Sequence, residues 1–155
     1  KNIKRKSFQN IKKFKSGIIL MFSKKKDRKT ENLFLTKVTA LLIHAAKIDE
    51  NYTNKEEEII KETLLKLGSD IDIISKIITE AKTIEENSNQ ILDFTREVKN
   101  LSDVDKIKII EALWSIIYSN KDADLYETNL MRRLAGLLYI DSKTMGDIKS
   151  KIKKK

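Results

Sequence analysis

Residues 41–67 read LLIHAAKIDENYTNKEEEIIKETLLKL, and residues 112–138 read ALWSIIYSNKDADLYETNLMRRLAGLL. A shift of 71 positions lays the first stretch on the second without a gap. Leu42 then meets Leu113, Ala46 meets Ile117, Ile59 meets Leu130, Ile60 meets Met131, Thr63 meets Leu134 and Leu67 meets Leu138. Apolar coincidences come cheaply between two amphipathic helix pairs that share a 3.6-residue period. The polar coincidences at the break do not follow from period: Asp49 meets Asn120, Thr53 meets Asp124, and Glu56 meets Glu127. The pair reads as two helical hairpins related by internal duplication.

The same periodicity continues on both sides. Phe34, Val38, Leu41, Leu42 and Ala45 predict a helix over 32–48, and Ile59, Ile60, Thr63, Leu64 and Leu67 one over 54–67, with Gly68 where a C′ glycine belongs. Ser69 or Asp70 caps a helix bearing Ile73, Ile74, Ile77, Ile78 and Ala81, and Asn87 and Ser88 end it. A short helix carries Ile91, Leu92, Thr95 and Val98; Ser102 caps the next, with Val104, Ile107, Ile110, Leu113, Trp114 and Ile117. The last two run from about 125 to 139 and from 143 into a lysine tail. The expectation is an all-α bundle of about seven helices from residue 32 onward. The composition agrees, with no proline and only four glycines in 155 residues, because many-stranded folds need Gly- and Pro-rich turns. A chain of this length is one domain of ordinary size.

The net charge of +9 conceals an uneven distribution. Residues 1–30 hold twelve Lys/Arg and one Asp, and residues 149–155 hold five Lys and no acid. The body between them, 31–148, holds 15 basic and 22 acidic side chains, a net of −7. The expected organisation is therefore a basic N-terminal extension over 1–30, a helical domain over 31–148 and a lysine tail over 149–155. The longest apolar run, GIILMF at 17–22, is too short to span a bilayer, which needs about 20 residues. Phe8, Ile11, Phe14, Ile18 and Met21 recur at three and four positions among lysines. Such a stripe lies on an anionic membrane surface or packs on the body. Met21 is the first methionine, so residues 1–20 are read as an extension or a start artefact. The absence of cysteine removes disulfides, thiolate zinc sites and cysteine nucleophiles, and suits a reducing cytoplasm.

Thr53-Asn54-Lys55-Glu56 fits the capping box, and Asp124-Leu125-Tyr126-Glu127 fits it with an aspartate cap. Capping leaves Asp49, Asn120 and Asp122 unexplained, and a carboxylate at a helix C-terminus opposes the macrodipole. A divalent cation would compensate it. Hard cations take several oxygen ligands at about 2.0–2.6 Å, and Asp49, Asn51 and Glu56, or Asn120, Asp122, Asp124 and Glu127, could supply them. Neither loop is an EF-hand: twelve positions from Asp49 falls on Ile60, and twelve from Asn120 falls on Met131, where a glutamate is required. The competing reading is an Arg–acid cluster, with Arg132 or Arg133 forking onto a junction carboxylate. His44 is the sole histidine, and no phosphate-cradling glycine loop, G-x-S-x-G or paired-histidine zinc motif exists. Trp114 and Tyr118, one turn apart, suit packing better than base stacking.

Residues 41–64, LLIHAAKIDENYTNKEEEIIKETL, resemble the first signature of the tellurite-resistance TerB-like domains. In that signature an alanine-rich helix runs into Asp-Gly-x-Ile-x-x-x-Glu. Asp49 and Glu56 stand at its acids, Glu50 replaces its glycine and Tyr52 fills its apolar place. Residues 118–140, YSNKDADLYETNLMRRLAGLLYI, are similar to a second signature, in which Glu127, Arg132, Arg133, Ala135, Leu137 and Leu138 match. Asn120 replaces its aspartate and Lys121 its glycine. The resemblance spans about 31–153. It implies a seven-helix bundle of two pseudo-repeated halves, with a divalent-metal or partner site at the acidic junctions. Relatives include stress-response proteins and parts of J-domain co-chaperones, although no His-Pro-Asp occurs here. Asn120 and Lys121 remove negative charge where a cation would sit.

The functional expectation is a cytoplasmic, non-enzymatic stress-response or protein-interaction module with a degenerate divalent-cation site. The alternatives are a peripheral adaptor that holds its basic termini on an anionic inner-membrane face, or a weak nucleic-acid binder. The acidic body, which has no basic groove in its sequence, argues against the last. A hydrolase would have to draw its metal from the junction acids, since no nucleophile–base pair is visible.

Overall fold

The computed structural model describes residues 25–48, 50, 52–89, 91–119 and 125–155, with side chains from residue 28 onward. The amphipathic stripe expected between Phe8 and Met21 lies outside the described residues. Among the described residues seven helices follow in order: α1 Lys25–Ala46, α2 Asn54–Lys66, α3 Ile71–Glu86, α4 Leu92–Val98, α5 Asp103–Tyr118, α6 Leu125–Leu137 and α7 Ser142–Lys153. Among the described residues there is no strand.

Side-chain chemistry marks the boundaries. Thr53 and Glu56 form the capping box that opens α2. The Ser102 hydroxyl accepts the Asp105 amide at 3.3 Å to open α5, and the Asp141 carboxylate accepts the Thr144 amide at 2.8 Å to open α7. One boundary departs from expectation. α1 begins at Lys25 rather than near 32, because the run KKDRKTEN consists largely of good helix formers yet carries no apolar residue to display a period. At the other end the last helix runs into the lysine tail as expected, through Lys153, and Lys151 bonds Glu111 of α5 at 2.8 Å.

α1 and α5 form the centre. From Phe34 to Ala46, α1 is buried at every position except Lys37 and His44, the signature of a core helix rather than a surface one. It packs against α2, α3, α4 and α5, while α5 packs against α1, α2 and α7. Leu42 and Leu113, equivalent in the duplicated sequence, are both inaccessible to solvent. Each such burial stabilises by about 1.5–3 kcal/mol.

The repeat is longer in structure than in sequence. α2 and α6 each have 13 residues, and both their starts and their ends are displaced by 71. Past α2, Gly68 adopts φ 96°, and past α6 its equivalent Tyr139 adopts φ 55°. The next amides close both ends identically: Ser69 N–H donates to Leu64 O and Ile140 N–H to Ala135 O, each at 2.9 Å. Asp70 and Asp141 then stand at the N-caps of α3 and α7. Ile74 and Ile77 are buried on α3, as Met145 and Ile148 are on α7. The repeating unit is therefore three helices, α1–α3 and α5–α7, with α4 between them.

Candidate functional site

The site expected from sequence is the pair of junctions, α1 to α2 and α5 to α6. After α1 the chain turns through Lys47 N–H to Ile43 O at 2.9 Å and Glu50 N–H to Lys47 O at 2.9 Å. Glu50 adopts φ 63°, the left-handed conformation in which a glycine would carry no penalty. At the start of α2, Glu56 is 1% exposed, and its carboxylate accepts the Thr53 amide at 2.6 Å and the Thr53 hydroxyl at 3.0 Å. A buried glutamate needs such partners. Its equivalent on α6, Glu127, is 7% exposed and also sits in the first turn. Asp49, Asn120, Asp122 and Asp124 lie outside the described residues. The described part of the expected set is thus Glu56 and Glu127, each at the root of its own helix.

What joins the junctions is a residue the sequence did not single out. Lys55, on the first turn of α2, donates its ammonium to the Ser119 carbonyl at 2.6 Å. That carbonyl lies at the C-terminal end of α5, where a cation complements the helix dipole. The 71-residue equivalents of Lys55 and Ser119 are Tyr126 and Ile48. These two line one cleft of about 440 Å³, together with Asn129, Leu130 and Arg133 of α6. Junction one therefore meets the end of α5 as junction two meets the end of α1, the exchange of roles typical of contacts about a two-fold axis. The clue was in the sequence only for a reader who paired Lys55 with Ser119 across the repeat, which composition and spacing give no reason to do.

The two sides of this exchange differ in chemistry. On one, Lys55 closes the contact with a short charge-assisted bond. On the other, Tyr126 is 75% exposed and leaves the cleft open, beside the equally outward-facing Leu125. Among the described residues, which include Glu56 and Glu127 but not Asp49, Asp122 or Asp124, no fork from Arg132 or Arg133 onto a junction carboxylate is formed. Both arginines are exposed, and among the described residues neither makes an ion pair.

Close to junction one, Tyr52 Oη is buried beside the Glu57 carboxylate without a hydrogen bond of good geometry. Burial, and then the Glu57 charge, push its phenol well above the usual range. Burial raises Glu57, but the Lys82 ammonium at 3.2 Å, with Tyr52 and Lys61, outweighs it and holds this carboxyl below its usual value. Lys82 also lies 5.1 Å from the Tyr52 ring centroid. His44 is committed elsewhere: its Nδ1 is 3.1 Å from Glu85 Oε1, while Lys47 donates to Glu85 Oε2 at 2.7 Å. Trp114 and Tyr118 stack at 5.8 Å, as expected of a packing pair, and Lys149 lies over the indole at 5.1 Å.

The fit to a divalent cation can be tested on these atoms. Among the described residues no three His, Cys, Asp or Glu side chains come together to hold a metal ion. One Glu56 oxygen is already committed to Thr53, and the Lys55 ammonium brings positive charge to the meeting of the junctions. The described groups thus fit a resident cation poorly. No described helix is long and apolar enough to cross a membrane. In comparisons with known proteins, the family model described as tellurite resistance protein TerB matches residues 35–150. No curated protein and no solved structure matches the chain.

Proposed function

The chain belongs to the tellurite resistance protein TerB family, and on that premise we propose that it is a non-enzymatic, cytoplasmic stress-response module that works by contact with a protein partner. Its acting surface is the face where the two junctions meet. The observation that carries this reading is the Lys55–Ser119 bond, which ties junction one to junction two and leaves the Ile48–Tyr126 cleft open beside it. A contact role also suits the disposition of reactive groups, since the one histidine is engaged by Glu85 and the chain has no cysteine.

Within this reading the junctions carry a divalent-cation site in degenerate form. Its ligands would be drawn from Asp49, Glu56, Asn120, Asp122, Asp124 and Glu127, and a bound cation there would tie the two junctions together electrostatically. Lys55, and the amide and lysine at 120 and 121, weaken it. Calorimetric titration with Ca²⁺, Mg²⁺, Mn²⁺ and Zn²⁺ tests this part. Little or no heat is expected from the wild type, and binding is expected to appear in Asn120→Asp/Lys121→Gly and vanish again when Asp49→Ala is added. Tight binding by the wild type would show an intact site, and silence from the restored variant would show that the junctions never formed one.

The contact reading itself is tested by placing a photoreactive phenylalanine at Tyr126 and, as control, at the exposed Lys76 of α3. A discrete protein adduct is expected from position 126 alone. Equal yields from both positions, or none from either, would reject the junction face as the acting surface.

A further inference from the structure

We propose that the cleft between Ile48 and α6 is a docking site for an acidic segment of a partner protein. An apolar side chain of that segment enters between Ile48, Leu130 and Tyr126, and a carboxylate about one helical turn from it binds Arg133. The inference rests on the contact reading above and adds the chemistry of the partner.

Three observations point to this occupant. First, the cleft is mostly apolar, and Tyr126, which lines it, follows Leu125, so two successive large side chains are left exposed at the start of α6. Adjacent exposed apolar groups beside a concavity mark interaction sites rather than ordinary surface. Second, the exposed charge of α6 is wholly positive. Its one acid, Glu127, is buried, while Arg132 and Arg133 face solvent. Among the described residues neither arginine makes an ion pair, whereas Lys37, Lys47, Lys61, Lys82 and Lys108, on the same body of net charge −7, each find a carboxylate. Third, the equivalent surface of α2 presents Glu58 and Glu62 where α6 presents Asn129 and Arg133. The duplication thus holds the backbone fixed while the charge at this one face is reversed, and Lys55 is replaced by an aromatic ring. A planar guanidinium beside a tyrosine and an apolar wall suits a bidentate carboxylate flanked by an aliphatic group.

The test is a ¹⁵N NMR titration of the full chain with two synthetic probes. One is a short acetylated helical peptide of Leu, Ala and Glu, and the other is its twin with every Glu replaced by Lys. The Glu peptide is expected to shift the amides of Ile48, Tyr126, Asn129, Leu130 and Arg133. Arg133→Glu should weaken it about tenfold, the loss of one charge-assisted pair, and should improve binding of the Lys twin. Arg133 is exposed, so the fold survives the substitution. Tyr126→Ala is the companion variant and should weaken both probes. Equal binding of the two peptides to the wild type, or shifts located elsewhere, would overturn the proposal. So would a dimer in sedimentation that Arg133→Glu dissolves, which makes a second copy the occupant, or NOEs from Tyr126 to residues 1–24, which make it the chain's own segment. A cross-linked partner at position 126 combined with a silent Glu peptide rejects the acidic chemistry while the contact face stands; no cross-link ends both.

Discussion

α2 and α6 start and stop 71 positions apart and close with the same pair of backbone bonds, yet α2 turns Glu58 and Glu62 outward where α6 turns Asn129 and Arg133. Their first turns differ as sharply. Lys55 reaches across to α5 and seals its side, and Tyr126 stands clear of the opposite one. The difference separates two kinds of constraint. Positions that face the core keep their burial through the duplication, as Ile60 and Met131 do, even where size changes, as from Ala46 to Ile117. Positions that face outward change sign and shape freely, and that is where function can differ between the halves.

The largest test of this comparison removes a matched pair of core groups. Leu42→Ala and Leu113→Ala should each cost about 2–5 kcal/mol in urea unfolding, and by similar amounts. If one is severe and the other mild, the two central helices are not equivalent. Next comes the buried acid. Glu56→Ala removes the acceptor for the Thr53 amide and should cost about 1–2 kcal/mol, read as a lower denaturation midpoint. Smaller, but of opposite sign in the two halves, is the helix-end pair. Gly68→Ala should destabilise by about 1 kcal/mol, whereas Tyr139→Gly should stabilise by somewhat less than that, because the left-handed conformation is free for glycine and strained for tyrosine. Glu50→Gly should behave like Tyr139→Gly. Equal signs at 68 and 139 would break the equivalence of the two ends. Lys55→Met, which unseals one side, should cost a few tenths of a kcal/mol and less at high salt.

A pH series sharpens the contrast last. Glu57 is held below its ordinary value of 4.5, so its folded form binds fewer protons than its unfolded form around and below that pH. Its stabilisation is present above 4.5 and is lost as pH falls through the lower, folded value. Lys82→Met should flatten that acid-side loss. The α6 equivalent of Glu57 is Thr128, so α6 adds no corresponding slope; in the second half that contribution comes instead from Asp141, whose carboxyl the Thr144 amide and hydroxyl hold below its usual value. An unchanged acid limb in Lys82→Met would remove Glu57 from the account.

Much of the helical scaffold was readable in advance because its punctuation is local. Thr53, Gly68, Asp70, Ser102 and the break at Asn87 act through bonds within a few residues of themselves. The third pair of the repeat, α3 with α7, was not readable, since Ile73 and Ile78 align with Thr144 and Lys149 and the shared apolar signal drops away. Tyr139 gave no hint of its left-handed conformation, which is normally read from a glycine. At the site, the buried pair Glu56 and Glu127 was legible through capping grammar, whereas the Lys55–Ser119 bond spans 64 residues and depends on how the halves pack. That Arg132 and Arg133 make no ion pair among the described residues is tertiary for the same reason, and local pattern does not decide it.

The indole of Trp114, the chain's single tryptophan, is 3% exposed, stacked on Tyr118 and covered by Lys149 one turn of chain from the end of α5. The protein therefore contains its own optical gauge. Emission excited selectively at tryptophan reports from a single place, and any event that lifts α7 away will uncover the ring and move its spectrum to longer wavelength without a dye or a label.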